Sequence, residues 1–257
     1  MKSKTVFVVA NWKMNPTTPR EAKALAGAIK KTASSLKKVK TVLCPPSTFL
    51  SLLVPPRPSK KVFFGGQDGL VEASGAHTGE ISLAIIKNLG AEYCILGHSE
   101  RRAKGETDKL IREKVQTALR LGLKPILCVG EDKRDAHGEY LNFLRRQIGN
   151  CLGDLKKGYY DDIIIAYEPV WAVGGGAQAA DTPEGFLHNA LFIRKVFASL
   201  AGNEVALALP VLYGGSVNPK NAEAFLVEGR ADGLLVGRES LVADHFKQIL
   251  QISDKTK

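Results

Sequence analysis

Three residues able to move protons or hold anions stand just past short apolar runs: Lys13, His98 and Glu168. A carboxylate can act as a general base, an imidazole can polarise a carbonyl, and an ammonium can neutralise a developing oxyanion or a phosphate. Glu168 directly follows Ile163-Ile164-Ile165-Ala166-Tyr167 and precedes Pro169, which forces an acid to the end of a buried run. Near the end of the chain, Gly214-Gly215-Ser216 and Gly237 also close apolar runs, and Asn218-Pro219 reads as a helix start. Glycine backbone and unpaired helix N–H groups can cradle a phosphate. Together these features suggest a phosphorylated substrate gripped on one side and worked on by Glu, His and Lys on the other.

Taken singly, each residue has a plainer reading: Lys13 as a surface lysine, His98 as the cap of a helix begun by Ser99-Glu100-Arg101, Gly214-Gly215 as a tight turn. Only a fold that brings them together decides, so the elements that carry them matter.

Apolar, largely β-branched runs recur at residues 5–10, 41–44, 61–64, 92–96, 125–129, 163–167, 210–213 and 233–236, each closed by Gly, Pro or polar residues. Strands buried on both faces read this way. Between them apolar residues fall three and four apart, as in Leu110, Ile111, Val115, Ala118 and Leu119, or Phe186, Leu187, Ala190 and Leu191, which is a helical period. Thr182-Pro183-Glu184 signals a helix start, and Leu121-Gly122 and Glu228-Gly229 signal ends. Eight alternations predict an α/β fold, a (β/α)₈ barrel of eight parallel strands surrounded by helices, as one catalytic domain over residues 1–257. An open doubly wound sheet is the competitor, but the Gly-x-Gly-x-x-Gly turn that marks it is absent after the first strand. In a barrel the polar residues above meet at the carboxyl-end mouth.

The formal charge of +10 leaves open a nucleic-acid surface, a membrane surface or attraction of a small anion. The lysine pairs are scattered and lack interleaved aromatics, which argues for solvated surface and against a nucleic-acid groove. Four distant cysteines form neither a Cys-x-x-Cys pair nor a zinc pattern, which predicts a reducing compartment and no metal. No apolar stretch has the length of a membrane span or a signal peptide, so the expected location is cytoplasmic.

Asn11-Trp12-Lys13-Met14-Asn15, Gly97-His98-Ser99-Glu100-Arg101-Arg102, Ala166-Tyr167-Glu168-Pro169-Val170-Trp171-Ala172, Tyr213-Gly214-Gly215-Ser216-Val217 and Asp232-Gly233-Leu234-Leu235-Val236-Gly237 resemble, in order along the chain, the motifs of the triosephosphate isomerases. The resemblance implies interconversion of dihydroxyacetone phosphate and D-glyceraldehyde 3-phosphate through an enediol or enediolate, without cofactor or metal, in glycolysis and gluconeogenesis. It implies Glu168 as base, His98 as a neutral electrophile, Lys13 and Asn11 as stabilisers of the oxyanion, and Glu100 as partner of Lys13. Phosphate would meet Lys13, Asn11 and backbone near Gly174, Ser216, Gly237 and Arg238. A lid would run from Pro169, Val170 and Trp171 through Gly174, Gly175, Gly176 and Ala177, closing to exclude water. Thr78, His77 and Gln67 would sit at the interface of a homodimer.

Several positions depart from the family pattern. Gly175 and Ala177 stand where a threonine and a lysine are usual; Arg238 and Glu239 replace a glycine and a small residue; His77 and Asp68 replace an aromatic and an asparagine. Ala103-Lys104 is one residue shorter than usual. Gly175 implies a costlier ordering of the lid, so Gly175→Thr is expected to lower KM. Two other functions compete. A different phosphate-binding barrel would not need Lys13, His98 and Glu168 together, and a basic non-enzymatic binding protein is favoured by charge alone.

Overall fold

A computed structural model describes residues 5–57, 59–135, 137–172 and 181–256. The strands are β1 (Val6–Asn11), β2 (Val39–Cys44), β3 (Val62–Gly66), β4 (Tyr93–Leu96), β5 (Lys124–Val129), β6 (Ile164–Tyr167), β7 (Val211–Tyr213) and β8 (Gly233–Val236). All pair in parallel with their sequence neighbours, and β8 returns to β1 through Phe7↔Gly233 to Ala10↔Val236, closing the barrel. Every predicted strand is present, with ends shifted by a residue or two. At β3 the strand runs on through Gly65 and Gly66. These glycines are not turn punctuation: a Cβ at Gly65 would lie 2.8 Å from Cys44 Sγ, and one at Gly66 would lie 2.9 Å from Ile86 Cδ1.

The helices are α1 (Pro19–Ser35), α2 (Leu50–Leu53), α3 (Leu83–Asn88), α4 (Ser99–Arg102), α5 (Asp108–Arg120), α6 (Glu139–Leu152), α7 (Pro183–Ala201), α8 (Asn203–Ala208), α9 (Ala222–Val227) and α10 (Ala243–Lys255). Thr182 caps α7 as its sequence signals, its hydroxyl accepting the Gly185 N–H at 3.0 Å. The buried face of α7 differs from the expected one. It carries Phe186, Asn189, Ala190, Ile193, Val196 and Phe197, while Leu191 is 58 % exposed. An apolar residue on a helix need not face inward when the opposite stripe buries more surface. The helix expected at Asn218-Pro219 begins three residues later, at Ala222, after a turn held by Asn218 Oδ1, which accepts the N–H groups of Lys220 and Asn221.

Two apolar clusters follow from strand alternation. One fills the space between strands and helices. The other lies inside the barrel and includes Val9, Val42, Ile95, Ile126, Cys128, Ala166, Leu212 and Leu235. Two residues further along β1, β6, β7 and β8, the inward face reaches the mouth at Asn11, Glu168, Gly214 and Gly237. Among the described residues no helix is long and apolar enough to cross a membrane.

Candidate active site

Asn11, Lys13, His98, Glu168, Gly214, Gly215, Ser216, Gly237, Arg238 and Glu239 line one cavity of about 140 Å³ at the carboxyl ends of the strands. Residues from five strands' ends thus meet, including the acid, imidazole and ammonium singled out in the sequence.

Lys13 departs from β1 in the left-handed backbone region, at φ 52. Its N–H donates to Asn11 Oδ1 at 3.0 Å, which leaves the Asn11 NH₂ as the end able to face a ligand. Its ammonium reaches Glu100 Oε1 at 2.5 Å. Burial acts to raise the Glu100 carboxyl, but the Lys13 bond and charge outweigh it and hold Glu100 below its ordinary value.

His98 takes its plainer reading as a helix cap while still lining the cavity. It caps α4, with Nδ1 accepting the Glu100 N–H at 3.2 Å. A ring nitrogen that accepts carries no proton, so the neutral ring has its hydrogen on Nε2, which lies 3.5 Å from Glu168 Oε1. Because α4 has only four residues, a single local N–H orients the ring, rather than a long helix dipole.

Glu168 is 2 % exposed. Its Oε2 accepts the Ser99 N–H at 3.4 Å, and its Oε1 accepts from the Cys128 thiol at 3.3 Å. Two glycines make room for it. A Cβ on Gly130 would fall 1.8 Å from the Glu168 carbonyl oxygen, and one on Gly214 would fall 2.7 Å from Glu168 Cγ. Gly214 therefore serves the carboxylate as well as the turn.

The phosphate side differs in detail from expectation. The helix N–H groups thought available near Asn218 are occupied: Lys220 and Asn221 donate to Asn218 Oδ1, Ala222 donates to Asn218 O, and Asn218 itself donates to Asn221 Oδ1. What remains toward the cavity is loop backbone at Gly215, Ser216 and Gly237. The Ser216 hydroxyl donates to Ala172 O at 2.9 Å, tying this loop to the segment after β6.

That segment starts with buried Pro169 and a 3-10 turn over Val170–Ala172. Gly174, Gly175, Gly176 and Ala177, expected as the lid tip, lie outside the described residues. The base of the segment is tied to Glu131, which accepts from Tyr167 Oη at 2.8 Å and Trp171 Nε1 at 3.1 Å. Arg134 bridges Glu131 and Asp181 and stacks over the Trp171 ring at 4.8 Å. Burial, and next the Glu131 charge, push the Tyr167 phenol well up, so it remains a donor.

Thr78 and His77 are exposed, and the half-buried Gln67 donates its amide hydrogens to Lys13 O and Cys44 O, each at 2.8 Å. Asp68 sits between two cations, 2.8 Å from both Arg101 and Lys114, and the buried Lys114 ammonium also bonds Glu106. Sequence reasoning reads Cys128 as a buried packing residue, which it is, but misses its contact with Glu168, Gln67 as a partner of Lys13, and Glu131. Strand parity was the available signal for Cys128: it is paired with Ala166, whose face Glu168 shares. No group of three or more His, Cys, Asp or Glu able to hold a metal occurs among the described residues.

Residues 6–253 match the family model described as Triosephosphate isomerase. The chain is 40% identical over 249 residues to a triosephosphate isomerase of Natranaerobius thermophilus, covering 96% of this chain and 95% of that protein. It is 41% identical over 250 residues to one of Roseiflexus sp., covering 96% and 97%. The crystal structure of triosephosphate isomerase from Bartonella henselae superposes with a TM-score of 0.82 at 35% identity, covering 96% of this chain and 98% of that one. With a closed eightfold barrel, one polar mouth and a match along nearly its whole length, the chain belongs to the triosephosphate isomerase family.

Proposed function

We propose that this mouth interconverts dihydroxyacetone phosphate and D-glyceraldehyde 3-phosphate by carrying one proton between adjacent carbons. The observation that supports this most is the convergence of Lys13, His98 and Glu168 on a single small cavity that also exposes glycine-rich backbone. Glu168 takes the proton from the carbon beside the carbonyl and returns it to the neighbouring carbon. His98 donates through Nε2–H to the carbonyl oxygen as negative charge builds there. Lys13 adds fixed positive charge, with Asn11 as a second donor. Glu100 pairs with the Lys13 ammonium, and the phosphate lies against backbone at Ser216, Gly237 and Arg238.

The nitrogen donors nearest Glu168, Ser99 N–H at 3.4 Å and His98 Nε2 at 3.5 Å, are long for hydrogen bonds, so exchanging them for a substrate carbon costs little. Pro169, Val170 and Trp171 form the first hinge, and closure over the substrate keeps water from the enediolate. The described residues close one barrel, which supports a single catalytic domain. A homodimer is supported by the exposed loop around His77 and Thr78 and by Met14, 89 % exposed beside the cavity's Lys13. Four free, buried thiols support a reducing, cytoplasmic setting, where the reaction serves glycolysis and gluconeogenesis. A coupled assay with D-glyceraldehyde 3-phosphate tests the reading: Glu168→Asp, which withdraws the carboxylate by one methylene, should cut kcat by about a hundredfold or more. Equal rates for the two proteins would overturn it.

A further inference from the structure

We infer that Gln67 is a positioning residue for Lys13, clamping a backbone conformation that aims the ammonium into the cavity. This rests on the role proposed for Lys13. At φ 52 Lys13 occupies a region that side chains other than glycine seldom adopt, and such backbone persists only where its surroundings enforce it. Here both flanking peptides are tied. On the amino side the Lys13 N–H donates to Asn11 Oδ1 at 3.0 Å. On the carboxyl side Lys13 O accepts from Gln67 Nε2 at 2.8 Å.

The Gln67 amide is itself placed from two directions. Its second hydrogen goes to Cys44 O at 2.8 Å, and that carbonyl also accepts the Trp12 N–H at 3.1 Å, so the ends of β1 and β2 and the exit of β3 are joined at one point. The next residue, Asp68, is pinned by Arg101 at 2.8 Å and by Lys114 Nζ at 2.8 and 2.9 Å. Lys114 is 2 % exposed, so this anchor is a buried ion pair that tolerates little drift. Because Lys13 reaches the cavity on four flexible methylenes, a relaxed backbone would let its ammonium follow Glu100, 57 % exposed, toward solvent.

A double-mutant cycle separates this from general support of the barrel. Gln67→Met keeps side-chain length and removes both donors; Gln67→Asn keeps a polar amide but withdraws it, and serves if the methionine variant does not fold. Each is made in the wild type and in Lys13→Ala, and kcat and KM for D-glyceraldehyde 3-phosphate are measured well below each melting temperature. The expected result is a fall in kcat/KM of about tenfold to a hundredfold in the wild type, with KM raised, and less than twofold in Lys13→Ala. A softened barrel would instead lower the active fraction, and so kcat alone, equally in both backgrounds. That result, or wild-type kinetics for both Gln67 variants, overturns the positioning role while leaving Lys13 intact. Wild-type activity in Lys13→Ala would overturn the Lys13 reading itself, and the positioning role with it.

Discussion

Cys128 Sγ lies 3.3 Å from Glu168 Oε1 inside the barrel mouth, with the thiol as donor to the carboxylate. Burial, and next the Glu168 charge, push this thiol far above its ordinary range. It is a neutral donor and a poor nucleophile. Cys128→Ala should therefore lower kcat several-fold with little change in KM, and cost about 1 kcal/mol of stability for one deleted buried atom. In the folded wild type at pH 8, iodoacetamide should leave Cys128 unmodified. Rapid alkylation of the native enzyme would contradict the assignment.

Gly214 stands against the side chain of Glu168, and a Cβ there would come within 2.7 Å of Glu168 Cγ, well inside contact distance. Since Cγ is the middle of the side chain and not its free end, the carboxylate must move. Gly214→Ala should lower kcat by at least about tenfold, as sub-ångström misplacement of a catalytic group does, while the protein still melts cooperatively. Steady-state kinetics with a thermal melt on the same sample decide it: an unchanged kcat would mean that the carboxylate tolerates the displacement.

The alkaline limb of stability should carry a thiol signature. Burial pushes all four cysteines up, Cys151 to about 12. An unfolded thiol titrates near ~8.5, so between there and 12 the folded chain holds a proton at Cys151 that the unfolded chain has lost. Stability is fully present below that window and falls as pH rises through it, by about 1.4 kcal/mol per pH unit for each such thiol. Urea unfolding between pH 9 and 10.5 should show a shallower decline for Cys151→Ala than for the wild type, and parallel curves would exclude the effect.

The strands were legible because parallel strands buried on both faces leave uninterrupted apolar runs, and the helices because an apolar face returns every three to four residues. The candidate residues were legible for a related reason: Asn11, Glu168 and Gly237 follow such a run directly and His98 and Ser216 come within three residues of one, so closure of the barrel alone carries them to one mouth. What the chain order hides are contacts that need the register of the closed sheet. Cys128 meets Glu168 across forty positions. Gln67, read as an interface residue, reaches Lys13 because β3 leaves the barrel beside β1's exit loop. Lys114 looks like a polar position of an amphipathic helix, yet it is buried because Asp68 and Glu106 wait beneath it. Leu191 errs the other way, since composition cannot say which of two apolar stripes on α7 will be covered.

The central claim is that one carboxylate carries the proton, and isotope exchange addresses it directly. Dihydroxyacetone phosphate turned over in D₂O, with products read by proton NMR, should gain deuterium at a single carbon beside the carbonyl in the presence of the wild type. Glu168→Gln, isosteric but unable to accept the proton, should neither isomerise nor exchange above background. Exchange and isomerisation by Glu168→Gln at close to the wild-type rate would mean that another group moves the proton.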